Sequence, residues 1–427
     1  MSDSGQQLHS PIRMLILSWG PSIHAWRRIG IFVNDPGFSV TVVSTYDFGF
    51  ERATNILLNN ARRNRQGGTS PEGIDSGQGD REGKSLLFGN VKKILARFRF
   101  VLLLYDFMNL AKDAVTLRRA VRKYRPQVII LQTLVYPCYL AFLLPKSIPI
   151  LITFWNGDVT WWAKSNAIER VFKKKLVTYG VQRAKALTVN SIVARDACLG
   201  YGVSGDKIHL IRYPGVDIER FKPSTKAQAK IVLNIDAGKV ILCPRGIGGY
   251  LNSDVIVESA ADVVKKIPDV LFVFVSGAGT GELLKQHQER VRKLGVERNF
   301  RWSGQVPWEL MPDYYNASDL MVSISSNDSL PNCMMEALAC GTPVIMGDIP
   351  QIREWIADGR NGFLVPCKEP RQLSRLIVEI LELPPDRIRR ITDTGRELVA
   401  REFDSSVHTS SIKDLVRRMA GTGREEE

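Results

Sequence analysis

Residues 328–344 read DSLPNCMMEALACGTPV. The apolar run at residues 320–325 comes just before them and predicts a buried strand. Helices favour proline at their first position and glycine just past their last, so Pro331 and Gly341 predict a helix between them. The next strand then begins at residues 343–346. The pattern therefore indicates a strand, a loop, a short helix and a second strand.

The loop that enters this helix is expected to border a ligand crevice. At the carboxyl edge of a parallel sheet, such a loop exposes free backbone N–H groups and the positive end of the helix dipole. Asp328 lies in the loop, and Glu336 lies about a turn and a half into the helix. Each carboxylate can accept hydrogen bonds from the hydroxyls of sugars and riboses. We therefore expect a phosphorylated or hydroxyl-rich ligand at this place.

The rest of the chain repeats the alternation of strands and helices that is typical of parallel α/β sheets. Predicted helices include residues 111–124, 167–183, 254–266 and 282–294. Predicted strands lie at residues 12–17, 38–44, 128–131, 149–154, 186–189, 240–243 and 270–276 and near Phe300.

A length of 427 residues favours two domains. We predict an N-terminal Rossmann-like domain at 11–213, a C-terminal Rossmann-like domain at 214–400, and a last helix at 401–427 that returns to the N-terminal domain and ends in a frayed acidic tail. Residues 212–217 carry Pro214 and Gly215 where the charge changes, which is typical of a hinge. Residues 62–85 contain six glycines and almost no apolar side chain, so they predict a mobile insertion.

Composition excludes several classes of protein. With 44% apolar and 24% charged residues, the chain is globular rather than fibrous or disordered. Its six cysteines are scattered without a CxxC pair, which indicates neither a zinc site nor a disulfide framework and fits a reducing cytoplasm. The first residues lack a secretion signal, and the longest apolar stretch, residues 100–110, is too short to span a bilayer.

The net charge of +14 is unevenly distributed along the chain. Residues 1–214 hold 30 Lys and Arg against 14 Asp and Glu, whereas residues 215–427 hold 28 against 30. The first half therefore carries +16 and the second half −2. This asymmetry indicates an anionic partner such as lipid headgroups, an acidic polymer or nucleic acid, although a merely solvated basic face would look the same.

The sequence resembles the retaining GT-B glycosyltransferases of the large family four, which use nucleotide sugars and include glycogen synthases and lipopolysaccharide mannosyl- and glucosyltransferases. Their signature, E-x7-E followed by A-x-A-x-G-x-P-V-I, is matched from Asp328 through Glu336 to Ile345, with Asp in place of the first Glu. Their hinge pattern, P-x-G-V-D followed by F-x-P, is similar to residues 214–223. The resemblance implies two Rossmann-like parallel-sheet domains that face each other across a cleft.

The resemblance also assigns residues of the second domain to the donor. Arg245 would bind the diphosphate together with Gly246, Asp328 would hold the sugar and Glu336 the ribose; these three charged residues are the expected catalytic set. The turn at 276–279 resembles the family's G-x-G, and the loop at 304–307 resembles the one that holds the nucleobase. The remaining expected donor contacts are Gln305, Ser329, Leu330, Pro331, Asn332 and, from the first domain, Gly20.

In the first domain the resemblance marks residues near the acceptor. Residues 22–28 are similar to a subgroup's S-x-H-x-x-R segment, and residues 155–159 are similar to its W-G-S-D-I segment. His24, Asn156 and Asp158 are therefore expected on the acceptor side.

By resemblance, the reaction moves a sugar from a nucleotide-diphosphate sugar to an acceptor hydroxyl with retention, in glycan, lipopolysaccharide or glycolipid biosynthesis. No cofactor and no metal is expected. One departure is that Tyr250 and Leu251 stand where the family usually has a phosphate-binding Lys. This leaves open an inactive, regulatory nucleotide-sugar-binding protein. A nucleic-acid-binding protein is a weaker alternative because no recognised binding motif is present, and a two-Rossmann dehydrogenase is weaker still because GxGxxG is missing after the first strand.

The location expected from these features is cytoplasmic. The basic run at 92–99 leads directly into the apolar residues 100–104, and such neighbours are used in interfacial membrane binding. The sequence therefore also predicts peripheral attachment to the anionic cytoplasmic membrane face, where a lipid-linked acceptor would lie. Burial of residues 100–104 in the core is the alternative.

Overall fold

The structure is a computed structural model that describes residues 10–19, 23–58, 99–134, 137–154, 167–212, 214–275, 281–328 and 330–421. These residues divide into two compact units. The first unit contains the described residues up to Arg212 together with 409–421, and the second contains residues 214–408. Within the described residues, no helix combines the length and the apolar character needed to cross a bilayer.

The first unit is built on a parallel sheet of seven strands in the order β3-β2-β1-β4-β5-β6-β7. Its strands are β1 (Ile12–Ser18), β2 (Phe38–Ser44), β3 (Thr54–Leu57), β4 (Val128–Leu131), β5 (Ile150–Thr153), β6 (Ala186–Val189) and β7 (Ile208–Leu210).

The second unit is built on a parallel sheet of six strands in the order β10-β9-β8-β11-β12-β13. Its strands are β8 (Lys239–Cys243), β9 (Val270–Val275), β10 (Phe300–Gly304), β11 (Leu320–Ser323), β12 (Val344–Gly347) and β13 (Phe363–Val365).

Helices connect the strands, as parallel pairing requires. Those of the first unit are α1 (Ile23–Val33), α2 (Arg99–Tyr124), α3 (Ala167–Arg183) and α4 (Ile192–Leu199). The second unit contains α5 (Lys226–Val232), α6 (Ser253–Lys266), α7 (Gly281–Lys293), α8 (Met311–Ala317), α9 (Asn332–Ala339), α10 (Pro350–Arg353), α11 (Pro370–Glu382) and α12 (Pro385–Glu402). The last helix, α13 (Ser405–Met419), begins in the second unit and ends in the first.

Both faces of each sheet are covered, which explains why the central strands are apolar almost without interruption. Along β1, Leu15 and Leu17 belong to one buried cluster, while Met14 and Ile16 belong to the cluster on the opposite face. Alternate residues of β8 and β11 divide in the same way between two clusters of the second unit. The prediction of two parallel α/β domains is thereby confirmed.

The structure differs from the sequence-based expectations at several boundaries. Helix α2 begins at Arg99 rather than at residue 111. The second unit extends past residue 400 to His408, and a break at Phe403 and Asp404 separates α12 from α13. The break has a physical reason: the N–H of Val216 donates to the carbonyl of Phe403 (2.8 Å), and the N–H of Ser405 donates to the carbonyl of Val216 (2.9 Å).

Residues 409–421 belong to the first unit through an apolar and an ionic contact. Ile412, Leu415 and Val416 of α13 lie in the same buried cluster as Ile12 and Ile16. Beside them, the Nζ atom of Lys413 lies 2.8 Å from the carboxylate of Asp35. Lys413 and the nearby Arg417 lower the pKa of Asp35, although burial acts in the opposite direction as the largest single influence.

Candidate active site

The second sheet contains a point at which the chain reverses its direction of winding. From β8 the chain continues through β9 and β10 to one side, whereas β11, β12 and β13 extend the sheet on the other side. Loops that leave the carboxyl ends of two such neighbouring strands diverge and create a crevice in which ligands bind. Arg245 follows β8, and Asp328 follows β11. Residues far apart in the sequence are therefore brought to one crevice.

Arg245 and Asp328 contact each other directly. The Nη1 atom of Arg245 donates a hydrogen bond to Oδ2 of Asp328, and the two charges form an ion pair. Their side chains are 25% and 13% exposed, so the pair remains accessible from solvent. Gly246 has φ +73°, a conformation that glycine adopts readily, and the chain turns there immediately after Arg245. The Arg245 guanidinium can thus reach a ligand in the crevice by exchanging its partner.

Glu336 is held by a tyrosine from a neighbouring helix. It lies on α9 and is buried, and its Oε2 accepts a hydrogen bond from the hydroxyl of Tyr315 on α8 (2.9 Å). Burial and the negative charge of Glu336 raise the pKa of Tyr315 well above its usual value. Tyr315 therefore keeps its proton and remains a hydrogen-bond donor to Glu336 at every pH near neutrality.

Helix α9 is fixed so that its N-terminus lies at this crevice. Its residues from Cys333 to Ala339 are all buried, and the helix packs against α12, where a Cβ at Gly395 would lie 2.7 Å from the side chain of Leu338. Leu330 and Pro331 come just before the helix, and Asn332 is its first residue. The N-terminus of a helix carries the positive end of the helix dipole, so this end of α9 is suited to a bound anion or hydroxyl. Ser329 lies outside the described residues.

Two serine hydroxyls add buried polar groups to the same region. Ser323 ends β11 and Ser325 follows it, and both side chains are buried. The Ser323 hydroxyl lies beside the Cys333 thiol of α9, whereas Oγ of Ser325 has no hydrogen-bond partner in the described part of the chain. Side chains alternate along a strand, so Ser323 projects to the face on which Met321 contributes to the α9 core. Burying a hydroxyl without a partner costs free energy, which a hydrogen-bonding ligand would recover.

Gln305, expected in the nucleobase loop, follows β10 at the same edge of the sheet. It is exposed, and Gly304 before it has φ +64°. In the strand order, β10 is two positions from β8, so Gln305 leaves the sheet about 10 Å from the end of β8. That separation is long enough for a diphosphate and ribose to lie between Arg245 and a base near Gln305.

The first sheet has a corresponding reversal between β1 and β4. Ser18 ends β1 and Gln132 follows β4 in adjacent register, and both are fully buried. Neither Oγ of Ser18 nor the amide atoms of Gln132 have a hydrogen-bond partner among the described residues. The predicted residues of this unit are less well placed: His24 is in the first turn of α1 but its side chain is outside the described part, as are Gly20, Asn156 and Asp158.

A cavity of about 600 Å³ lies in the second unit, between α6 and α7 and next to the loop that follows β8. Two pairs of side chains in its lining already contact each other: Arg290 donates to Glu258 at 2.5 and 2.6 Å, and the ring of His287 is 2.9 Å from Oγ of Ser253. Such internally paired groups give little reason for a ligand to bind. Among the described residues, no three His, Cys, Asp or Glu side chains are grouped so that they could hold a metal ion.

Comparison with known proteins agrees with this geometry. Residues 225–397 match the family Glycosyl transferases group 1, and residues 77–220 match Glycosyltransferase Family 4. This chain belongs to the family-four glycosyltransferases of the GT-B fold.

Relatives in this glycosyltransferase family share the sequence over part of their length. The D-inositol 3-phosphate glycosyltransferase 2 of Catenulispora acidiphila is 30% identical over 228 residues, which cover 51% of this chain and 52% of the relative. The D-inositol 3-phosphate glycosyltransferase of Geodermatophilus obscurus is 32% identical over 219 residues, or 50% and 48% of the two chains. The matches thus span about half the length of these curated relatives.

Solved structures show the same fold at low sequence identity. The Anabaena protein Alr3699/HepE in complex with UDP has a TM-score of 0.71 and 16% identity, covering 95% of this chain and 100% of the other. Sucrose-phosphate synthase from Thermosynechococcus elongatus has a TM-score of 0.70 and 18% identity, covering 96% and 100%. These similarities establish the GT-B fold.

Several residues of the β8–β11 crevice were not found by sequence reasoning. Tyr315 lies in the segment MPDYYNA, where it cannot be distinguished from an ordinary core aromatic residue. Ser323 and Ser325 were read as the end of a strand. Asn252, which precedes α6, resembles a common helix-capping residue, but its side chain reaches the loop after β11 instead. The roles of these residues become visible only through hydrogen-bond partners that are distant in the sequence, and a single sequence does not show which residues are partners.

We predict that Tyr315→Phe lowers the free energy of unfolding by about 2 kcal/mol, because it removes a hydrogen bond to a buried carboxylate. Urea denaturation of the full chain measures this change. Tyr314→Phe is the matched control: Tyr314 lies beside Tyr315 on α8, is buried, and makes no hydrogen bond through its hydroxyl in the described structure. Equal stability of the two variants would contradict the role given to Tyr315.

Proposed function

We propose that this protein transfers a sugar from a nucleotide-diphosphate sugar to an acceptor hydroxyl, with retention of anomeric configuration. The observation that carries the proposal is the contact of Arg245 with Asp328 at the β8–β11 crevice, in the loop that leads into helix α9, which bears Glu336. A cation and a helix N-terminus are suited to bind a diphosphate, and two carboxylates are suited to accept hydrogen bonds from a sugar and a ribose. The UDP complex of the structurally similar Anabaena protein supports a nucleotide as ligand.

Each group has a separate part in the proposed reaction. Arg245 and the N-terminus of α9 stabilise the negative charge that develops on the departing diphosphate. Asp328, released from Arg245, accepts hydrogen bonds from the sugar hydroxyls together with the backbone near Leu330 and Pro331. Glu336, held by Tyr315, binds the ribose.

The bonds change at one carbon atom of the sugar. The bond between the anomeric carbon and the diphosphate oxygen breaks, and a bond to the acceptor oxygen forms on the same face. The acceptor proton passes to the departing diphosphate, so neither carboxylate has to act as a nucleophile. Retention follows from this same-face attack, and the anomeric coupling constant in the product's NMR spectrum reports it directly.

The acceptor is proposed to bind at the carboxyl edge of the first sheet. The buried, unsatisfied polar atoms of Ser18 and Gln132 suit a ligand that offers hydroxyl groups. The names of the inositol-phosphate relatives make a phosphorylated polyol one acceptor to test beside lipid-linked glycans. Cytoplasmic glycan or glycolipid synthesis is the setting in which we place this reaction.

A nucleotide-sugar-binding protein without transfer activity is the second candidate. It is favoured by Asp328 in place of the family's Glu and by the absence of a Lys at Tyr250 and Leu251. Tyr250 is 57% exposed and cannot neutralise a phosphate. Transfer or hydrolysis with any nucleotide sugar separates the two candidates.

We predict that Arg245→Ala and Glu336→Gln each reduce sugar transfer by about 100-fold or more, as loss of a preorganised charge partner does in other enzymes. The assay measures release of the nucleoside diphosphate with a panel of nucleotide sugars. Arg292→Ala, which removes an exposed arginine paired with Glu297 in the same unit, serves as the control. Full activity of Arg245→Ala or Glu336→Gln would remove that residue from the site.

Transfer is also predicted to continue without a divalent metal ion, because Arg245 and the N-terminus of α9 supply positive charge for the diphosphate. Dialysis against EDTA should leave the rate within about twofold of the untreated enzyme. Loss of activity that Mg²⁺ or Mn²⁺ restores would contradict metal-free catalysis.

We further propose that the first unit attaches peripherally to anionic membranes. Basic side chains are exposed along the C-terminal half of α2. Each such Lys or Arg contributes about 1 kcal/mol near an anionic surface. The apolar side chains at 100–104, which would enter the interface, lie outside the described part. The exposed residues concerned are Lys112, Arg118, Arg119, Arg122 and Lys123.

In a liposome flotation assay, the protein should float with anionic vesicles at low salt and be released at high salt. Changing Arg119, Arg122 and Lys123 together to Glu should abolish flotation. An equal charge change on exposed residues of the second unit is the control, made at Arg371, Arg375 and Arg390. Equal recovery with neutral and anionic vesicles would contradict membrane attachment.

A further inference from the structure

The loop that carries Arg245 is rich in glycine. Between β8 and α6 it contains Gly246, Gly248 and Gly249, and a Cβ at Gly249 would meet no other atom within 4 Å. Glycine loses more conformational freedom on ordering than other residues do. Such a loop therefore does not hold an arginine in one place by its own stiffness, and contacts to a neighbouring element must do so.

Asn252 provides such contacts at the end of this loop. Its side chain is buried, and its Nδ2 atom donates two hydrogen bonds of 2.7 Å, one to the carbonyl of Ile324 and one to Oγ of Ser326. The N–H of Ser326 donates in turn to the carbonyl of Tyr250 (2.9 Å). Three hydrogen bonds thus join the loop after β8 to the loop after β11, and we refer to Tyr250, Asn252, Ile324 and Ser326 as the loop brace.

The backbone of Asn252 also explains why asparagine is suited to this position. Its φ of +52° lies in the left-handed region, which asparagine tolerates better than most residues other than glycine. The amide supplies both donor hydrogens from one nitrogen. An aspartate would offer only acceptors to the carbonyl of Ile324, and a glycine would keep the backbone but lose both hydrogen bonds.

The loop brace joins the two loops that carry the ion-paired residues Arg245 and Asp328. In the ligand-free protein, that ion pair is a further connection between the loops. When Arg245 turns to a diphosphate and Asp328 to a sugar, the ion pair is lost, whereas the brace does not involve either side chain. The brace then keeps the two loops at the spacing that the ligand requires.

Resting on the proposed function, we propose that Asn252 is a positioning residue for the donor, acting through the loop brace to hold Arg245 and Asp328 at a fixed separation. It does not touch the donor itself. Its effect should appear as weaker donor binding and a higher KM, with a smaller change in kcat, because the reacting groups remain present once the donor is bound.

The test compares Asn252→Gly with a matched control, Asn234→Gly. Asn234 also has a left-handed backbone (φ +49°) and lies in the same unit, but its exposed side chain makes no hydrogen bond in the described structure. We expect Asn252→Gly to raise the KM for the nucleotide sugar and the Kd for its nucleoside diphosphate about tenfold, and Asn234→Gly to leave both unchanged. Ser326→Ala should show part of the loss, and Ser326→Thr, which keeps the acceptor hydroxyl, should restore it.

Hydrogen exchange of the ligand-free full chain gives a second readout that does not depend on activity. Amides of residues 246–251 should exchange faster in Asn252→Gly than in the wild type and in Asn234→Gly. Unchanged exchange there, or wild-type KM and Kd in Asn252→Gly while Arg245→Ala binds poorly, would overturn the proposal. If the wild type binds no nucleoside diphosphate although Asn252→Gly loosens the loop, the proposed function fails and the structural brace stands.

Discussion

The second unit depends on the direct pairing of β8 and β11, two parallel strands whose loops diverge at their carboxyl ends. This single constraint places Arg245 and Asp328, separated by more than eighty positions in the sequence, within ion-pair distance. It also directs the N-terminus of α9 toward the same crevice. Without that strand order, the same residues would be scattered along the edge of the sheet.

Burial then converts this arrangement into a site with defined chemistry. Glu336 sits on a helix that is buried on nearly all sides, so its carboxylate needs a donor, and Tyr315 supplies one. Asn252 meets the same requirement for the carbonyl of Ile324 and fixes the glycine-rich loop in doing so. The hydroxyl of Ser325 remains unsatisfied among the described residues, which suits a place where a polar ligand completes the hydrogen bonding.

Much of this fold was predictable because its central strands are continuous apolar runs between helices. The predicted strand at 320–325 and the helix between Pro331 and Gly341 agree with β11 and α9 to within two residues. The strands β3, β7 and β13 were missed: each has only three or four residues at a sheet edge. In β3 and β7, half-buried side chains also weaken the apolar pattern. An edge strand is identified by the neighbouring strand with which it pairs, and a local sequence pattern gives no information about that neighbour.

The site was predictable where a residue's role follows from its own loop or helix. Arg245 follows a strand, Asp328 lies in the loop after another and Glu336 lies on the helix that comes next, so these positions, together with the resemblance to family four, led to the expectation of one crevice. The pairing of Arg245 with Asp328 and the partners of Glu336 and Asn252 depend on side chains that are distant in sequence. In the first unit, Ser18 and Gln132 were likewise invisible, because nothing in the sequence shows that a buried amide lacks a partner.

The most direct test of the central claim is calorimetric titration with a nucleoside diphosphate and the corresponding monophosphate. In the wild type, the diphosphate should bind at least about tenfold more tightly, because Arg245 and the N-terminus of α9 meet its second phosphate. Arg245→Ala should reduce that difference to nearly nothing, whereas Glu336→Gln should weaken both nucleotides and keep the difference between them. A difference that persists undiminished in Arg245→Ala would show that the β8–β11 crevice is not the diphosphate site.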